Sequence, residues 1–396
     1  MLRVAMVAYT YYASDPRVRR EAEALAARGD HVDFFCLRSR GEPAEERLHG
    51  VRVLHLPLRR YRGGNPLLYV GSYCLFLVMA GWALAWRHLR GAYALVHANN
   101  MPDFMAFAGL LPRLAGRPLV LDIHDTMPEI YRGKFGVGPD HPLIRLLRLQ
   151  ERLSARLASR VLTSEHTKRD ALVEHGLPAE KIEVLLNLPD PRIFPPAPPR
   201  EPRPADAGFR LVFHGTLAER LGVDLALEAV ARIGERIPGL RLDVIGDGDQ
   251  RPALLALRDR LGLQDRVRFS DGMVPVEDLP RLLADADLAV IPTREGIATR
   301  YMLPTKLVEY ATLGIPAIVA PTHTIRYYFD ETQVAFFTPG DPESLAETIV
   351  ALHEDPVRRR ALALGAARFS ERYSWNRHKQ VYLDLVDALC APARSS

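Results

Sequence analysis

Short apolar runs alternate with helical patterns along the whole of this 396-residue chain, and that rhythm constrains the fold more than any single motif. Runs at 2–9, 31–37, 94–98, 118–123, 159–164 and 182–186 fill the first half, and runs at 209–216, 240–246, 266–270, 288–292 and 315–320 the second. Such strands, without internal polar alternation and separated by helices, build parallel sheets covered on both faces. The rhythm breaks once, at PDPRIFPPAPPREPRPADAG, which is too dense in proline for helix or central strand. The expected architecture is α/β: residues 1–190 as one doubly wound domain, 191–207 as a stiff linker, and 208–374 as a second doubly wound domain. The two are expected to face each other across a cleft, with ligands at the carboxyl ends of the strands. A last helix, from about Trp375, is expected to pack back onto the first domain.

Composition narrows the function classes. At 48% hydrophobic the chain can bury two substantial cores. The net charge of +4 is mild, and no Lys/Arg run is interleaved with aromatics as nucleic-acid binders require. Cys36, Cys74 and Cys390 are scattered, so neither a disulfide framework nor a zinc site is implied. The opening MLRVAMVAY reads as a first strand rather than a signal peptide, and the expected location is cytoplasmic.

The stretch LAVIPTREGIATRYMLPTKLVEYATLGIPAIVAP, from Leu288 to Pro321, reads as strand, loop, short helix and strand. Pro304 opens the helix and Gly314 closes it. The first amides of such a helix have no partner within it and form an anion site, to which Lys306 adds a full charge. Glu309 follows on the same face, about 4.5 Å along the axis. A capped helix with a solvated Lys and Glu fits the same residues.

In the first half, VLDIH ends at His124 and Asp125, neither of which favours a buried strand end without a partner. Asn99, Asn100 and Asp103 end the preceding strand, and Glu129 follows in MPEIY as a second carboxylate. Earlier, Asp15 and Pro16 look like a helix cap and first turn, with Arg17 and Arg19 next to them. All of these are candidates for contacts with an acceptor substrate. The acidic DAD of Asp285 to Asp287 precedes an apolar strand and reads as structural. Residues 63–86 carry no charge and are long enough to cross a bilayer, yet the strand ALVHAN follows within the alternating pattern. A buried helix and a helix dipped into a membrane interface both remain open. Trp82 and Trp86, with Arg59, Arg60, Arg62, Arg87 and Arg90 nearby, fit an anionic surface. So does a stripe of Arg145, Arg148, Arg152 and Arg156 with leucines opposite.

In order and spacing, FHGTLAERLGVDLALEAV, LDVIGDGDQ, MVPVEDLPRLLADADLAVIPT and PTKLVEYATLGIPAIVA resemble the second domain of family 4 glycosyltransferases, which have the GT-B fold of two Rossmann-like domains. HANNMPDF and LDIHDTMPEIY look like the acceptor side of bacterial members that build surface polysaccharide or glycolipid. The resemblance implies retaining transfer of a sugar from a nucleotide-diphosphate donor to a glycan or lipid-linked acceptor, with no cofactor or metal required. It places Glu309 at the donor ribose and Thr305 and Lys306 at the diphosphate. Gly215 and Thr216 would form a phosphate-approaching turn, Gly246 the next strand-end turn, and Met273 and Val274 the loop gripping the base. Two departures stand out. Tyr301 replaces a Glu common eight residues before the equivalent of Glu309, and Thr216 and Leu221 stand where many relatives have an Arg–Lys clamp. Arg220 or Arg300 would then supply the cation that stabilises the departing diphosphate. His124 would orient or polarise the reacting sugar, with Asp125 beside it. A sugar-nucleotide epimerase of the same fold and a non-catalytic nucleotide-sugar binding protein are the competing functions.

Overall fold

The structure is a computed structural model, and it describes residues 1–61, 63, 65–198 and 208–391. Arg62 and the end of the proline-dense segment, 199–207, lie outside them. The chain divides into one unit of Met1–Asn187 with Asn376–Ser396, and another of Leu188–Trp375.

The first unit is built on strands β1 (Arg3–Ala8), β2 (His31–Leu37), β3 (Glu45–Leu48), β4 (Val51–Leu56), β5 (Leu95–Asn99), β6 (Leu119–Ile123), β7 (Arg160–Thr163) and β8 (Ile182–Val184). They lie in the order β3-β4-β2-β1-β5-β6-β7-β8, parallel except for β3 against β4. The β3–β4 hairpin was not anticipated. It sits at the sheet edge, and the strand Glu45–Leu48 is polar and largely exposed, which hides it from an apolar-run reading. The crossovers are α1 (Pro16–Ala27), α2 (Pro66–Arg90), α3 (Leu110–Leu114), α4 (Met127–Phe135), α5 (Pro142–Leu157) and α6 (His166–Glu174). Asp15 caps α1 through the amide of Val18.

Helix α2 contains the only candidate membrane span among the described residues, judged by length and composition, with 22% of its most apolar window buried. Tyr73, Phe76, Ala80 and Leu84 fall on one side and are buried under the sheet face. Leu67, Leu75, Val78, Trp82 and Leu89 fall on the other, with Val78 67% and Trp82 71% exposed. Helix α2 is therefore neither wholly buried nor stripped of protein contact. In α5 the leucines do not lie opposite the arginines. Leu146, Leu149 and Leu153 are exposed beside the arginine row, while Ile144, Glu151, Ser154 and Ala155 face inward.

The second unit holds β9 (Phe209–His214), β10 (Leu240–Ile245), β11 (Val267–Phe269), β12 (Leu288–Ile291), β13 (Ala317–Val319) and β14 (Ala335–Phe336), all parallel in the order β11-β10-β9-β12-β13-β14. Its helices are α7 (Val223–Ile233), α8 (Arg251–Arg260), α9 (Leu279–Leu282), α10 (Ile297–Arg300), α11 (Thr305–Thr312), α12 (His323–Tyr328), α13 (Pro342–Glu354) and α14 (Pro356–Arg372). The start of the proline-dense segment belongs here: Phe194 is buried, and the Ala197 amide donates to Thr312 O at 2.9 Å. Pro304 stands at the cap position of α11 rather than inside it, and Gly314, at φ +66°, ends the helix in the left-handed region. A final helix, α15 (Trp375–Cys390), lies with the first unit from Asn376 onward.

Three helices of the first unit are pinned by one imidazole. His175, capping α6, meets Glu151 of α5 at 2.8 Å and Glu129 of α4 at 3.1 Å. Burial pulls its pKa down, but the two carboxylates outweigh this and push it up to about 9. A raised histidine pKa gives stability that is fully present below the unfolded value and lost as pH climbs through the folded one. Replacing His175 with Gln is expected to cost up to about 3 kcal/mol near pH 6. That deficit should shrink between ~pH 6.5 and pH about 9, as read from paired denaturant melts. A deficit of constant size would show that the imidazole is not charged in the fold.

Candidate active site

In the second unit the sheet order reverses beside β9, and the carboxyl end of β9 meets the start of α11 there. Gly215 turns the chain after β9 at φ +116°, its amide donating to Ile245 O at 2.8 Å. A side chain at Gly215 would stand 3.2 Å from Lys306 Nζ, so this glycine leaves room for the ammonium. Lys306 is buried, has no hydrogen-bond partner among the described residues and lies 3.7 Å over the Phe213 ring. Burial draws its pKa down to about 7, with Glu309 opposing and Arg220 adding to the fall. A buried ammonium without a partner is costly, and an incoming anion is the group that would relieve it. No side chain caps α11, so its first amides point the same preference outward.

Glu309 is held by His214, whose Nε2 contacts the carboxylate. The Tyr310 hydroxyl accepts from the His214 amide at 3.1 Å and faces its Nδ1 at 2.8 Å. With the hydroxyl proton aimed at Nδ1, a neutral imidazole carries its own proton on Nε2 and donates it to Glu309. The carboxylate is thereby oriented while keeping acceptor capacity for a further donor. Thr216 and Arg220 are exposed on the loop after Gly215. Arg300 is exposed at the end of α10, 5.8 Å over Tyr301. Gly246 serves loop-to-loop packing, because a side chain there would lie 2.0 Å from Gly215 O. Met273 is exposed and Val274 half-buried in the loop after β11, next to Gly272, which faces Asp247. In the DAD stretch, Asp287 accepts from the Arg210 amide at 2.8 Å.

In the first unit a pocket of roughly 250 Å3 opens at the ends of β1, β5 and β6. Asp15, Arg17, Asn100, His124 and Asp125 line it, together with Tyr9, Thr10, Arg60, Tyr69 and Tyr73. The buried Arg17 guanidinium donates to Asp122 and to His124 Nδ1. Burial, with Arg17 and then Lys168 adding, holds the His124 pKa well below the usual histidine value. A neutral imidazole that accepts at Nδ1 must carry its proton at Nε2. His124 therefore offers an N–H donor, not a base, and Asp125 stands 3.7 Å from that nitrogen. Asn100 clasps the loop from both sides, donating to Asp125 O at 2.6 Å and accepting from the His124 amide at 3.3 Å.

Residues 14–187 match the glycosyl transferase 4-like domain, and residues 208–355 match glycosyl transferases group 1. D-inositol 3-phosphate glycosyltransferase of Thermobispora bispora is 28% identical over 395 residues, covering 92% of this chain and 88% of that protein. The sucrose-phosphate synthase of Thermosynechococcus elongatus superposes with a TM-score of 0.77 at 20% identity, over 98% of this chain and all of that one. Anabaena HepE, solved with UDP-glucose, gives 0.71 at 19% identity, again over 98% and 100%. This chain is a GT-B glycosyltransferase.

Several residues expected at the glycosyltransferase's acceptor pocket lie elsewhere. Asn99 is fully buried, its amide 3.5 Å from Val7 O. Asp103 is buried under Asn100 and Gln150, where burial and then Glu151 raise its pKa to about 7. Glu129 is spent on His175, and Arg19 pairs with Glu23 on the flank of α1. Conversely, Tyr9, Thr10, Tyr69, Tyr73 and His214 were not anticipated, and Arg60, expected at an anionic surface, lines the pocket. Tyr9 and Thr10 follow the strand at which the sheet order reverses, a position that could have singled them out. Tyr69 and Tyr73 are one turn apart in a helix that reads as apolar filler, and nothing local marks them.

His124→Ala is expected to lower the kcat of transfer by on the order of 100-fold with only a small fall in melting temperature, because Asp122 still holds Arg17. Steady-state rates beside a thermal melt check it, and near-normal turnover would remove His124 from the reacting centre.

Proposed function

We propose that this glycosyltransferase moves a sugar, with retention of configuration, from a nucleotide-diphosphate donor to a glycan or lipid-linked acceptor, in envelope polysaccharide or glycolipid synthesis at the cytoplasmic face of the membrane. One observation carries the donor half: Lys306, buried and unpartnered beside Gly215 and the uncapped start of α11. A diphosphate supplies the missing charge, and the oriented Glu309 suits ribose hydroxyls. The UDP-glucose bound to the Anabaena relative supports this class of donor.

In the transfer the anomeric carbon loses its bond to the diphosphate oxygen and gains one to the acceptor oxygen. The acceptor proton passes to the departing phosphate. Lys306 and Arg220 take up the growing negative charge, in place of a metal ion. The neutral His124, with its proton on Nε2, hydrogen-bonds a sugar hydroxyl and fixes the approach rather than removing a proton.

A thermal-shift screen of UDP, GDP, ADP and dTDP sugars identifies the donor, because a ligand that binds only the folded state raises its melting temperature. Donor affinity should fall as pH rises through about 7, where Lys306 loses its proton. A Lys306→Arg variant, charged throughout, should show a flatter profile, and EDTA should leave transfer intact. Affinity independent of pH in the native protein would take Lys306 away from the diphosphate.

The exposed stripe of α2 supports a bilayer as the acceptor's setting. The stacked Trp82 and Trp86 lie on it, with the Arg90 guanidinium 3.5 Å over Trp86. Leu110 and Leu114 of α3 and the Arg/Leu face of α5 add to the same apolar and basic character. Both α2 and α5 pack on the short helical segment Asp103–Gly109. Flotation with vesicles containing anionic lipid should carry the protein up at low salt, and Trp82→Glu with Val78→Glu should abolish this. No binding to such vesicles removes the membrane from the proposal.

A further inference from the structure

Behind the floor of the first-unit pocket, a second set of ionisable groups is sealed in the core. Glu21 of α1, His97 of β5 and Asp122 of β6 bring their ligating atoms within 4.8 Å of one another. Tyr382 of α15 closes the set, its hydroxyl 2.8 Å from His97 Nδ1. All four are buried. His97 Nε2 and Glu21 Oε2 face each other at 3.9 Å, and neither has a hydrogen-bond partner among the described residues. Three such ligand types could hold a metal ion, but Asp122 already has a cation in contact, the guanidinium of Arg17.

Arg17 lies within electrostatic reach of four carboxylates, Asp122, Asp15, Glu21 and Asp125. Glu21 lies one turn along its own helix, the usual geometry of a helical ion pair. The guanidinium instead donates to Asp122 and His124. We propose that Glu21, His97 and Tyr382 are positioning residues that keep a proton between Glu21 and His97, and so commit Arg17 to Asp122 and His124. This rests on reading the pocket as the place where the acceptor reacts.

Electrostatics favours the neutral arrangement. The charged and titratable groups around Glu21 are Arg17 and Arg20 on its own helix, Asp15 at the cap, Asp122 and His97 on the sheet, and Tyr382 on α15. Burial and Asp122 push the Glu21 acid up to about 8, against the pull of Arg17 and Arg20. Burial, then Arg17, holds His97 down to about 3. A neutral carboxylic acid has one proton to donate, and the facing Nε2 is an acceptor with no other partner. Its Nδ1 then carries the imidazole proton and donates it to Tyr382 Oη. A side-chain shift of about 1 Å closes the gap to bonding distance. Once Glu21 ionises, it competes for Arg17. His124 Nδ1 then loses the donor that fixes its tautomer, and transfer slows.

The test uses the full-length protein labelled with 15N-histidine, with His97 identified through His97→Gln. In the native protein His97 is expected as the Nδ1–H tautomer, with a perturbation centred near pH about 8 that is absent from Glu21→Gln. In a Lys306→Arg background, which removes the loss expected at Lys306, transfer should fall at least about threefold between ~pH 7 and ~pH 9, while the same background with Glu21→Gln, whose amide still donates to Nε2, should stay within about twofold of its neutral rate. Glu21→Ala, with no carboxylate to compete for Arg17, should likewise lose the alkaline fall, whatever packing it sacrifices. Tyr382→Phe removes the acceptor of Nδ1–H and favours the Nε2–H tautomer, which stabilises ionised Glu21. Its alkaline midpoint should therefore move to lower pH, whereas a loss of packing alone would lower all rates and leave the midpoint in place. A native His97 protonated on Nε2, or an alkaline fall that Glu21→Gln leaves unchanged in the Lys306→Arg background, overturns the proposal. The spectra involve no substrate, so they decide the proton's place even if the assignment of donor or acceptor fails.

Discussion

Parallel strands cannot be joined by a tight turn; each needs a crossover that returns across a face of the sheet. Where the direction of winding reverses, two neighbouring loops leave in opposite directions and a crevice is left at the strand ends. In the first unit this happens between β1 and β5, and in the second between β9 and β12. The pocket bearing Arg17 and His124 lies at the first reversal, and the turn bearing Gly215 and Lys306 at the second. The chemistry of each unit follows from this winding, because backbone ends and charged side chains can gather there without interrupting a core.

The two sites treat a buried cation in opposite ways. Lys306 has no hydrogen-bond partner among the described residues, at the expense of a lowered proton affinity, and is thereby prepared for an anion. Arg17 is held through Nη1 by Asp122 and His124, and its effect is to settle which imidazole nitrogen carries the proton. His214 and Tyr310 do for Glu309 what Arg17 does for His124, fixing the direction of a group through a hydrogen bond on its far side. The Glu129–His175–Glu151 triad shows similar residue types used for helix packing alone.

Helix α2 joins the pocket to the surface. Tyr69 and Tyr73 line the pocket, and the Tyr9 hydroxyl meets Ser72 Oγ at 2.9 Å, while the opposite face of the same helix is an exposed apolar stripe. A change on the outer face is thus one helix diameter from the substrate-facing tyrosines. A chain that needed only a packed crossover would gain nothing from keeping leucines and tryptophans in water.

Periodicity and punctuation were sufficient for the α/β class, for most strands of both sheets, and for the short helix between Pro304 and Gly314, since each is set by neighbours a few residues away. A strand end put His124 among the candidates, and helix starts put Arg17, Lys306 and Glu309 there. Which way a side chain turns at a strand end is a different matter. Asn99, Asp103 and Glu129 sit beside Asn100 and Asp125 in sequence yet point into packing, and Tyr69, Tyr73 and His214 reach their sites although no local signal singles them out. The choice depends on partners tens to hundreds of residues away, such as His175 for Glu129 or Tyr382 for His97. Local sequence determined where elements begin and end because backbone hydrogen bonding and steric preference are short-ranged. Only the tertiary structure decided which polar groups face solvent, ligand or one another, because burial and charge pairing are properties of the assembled fold.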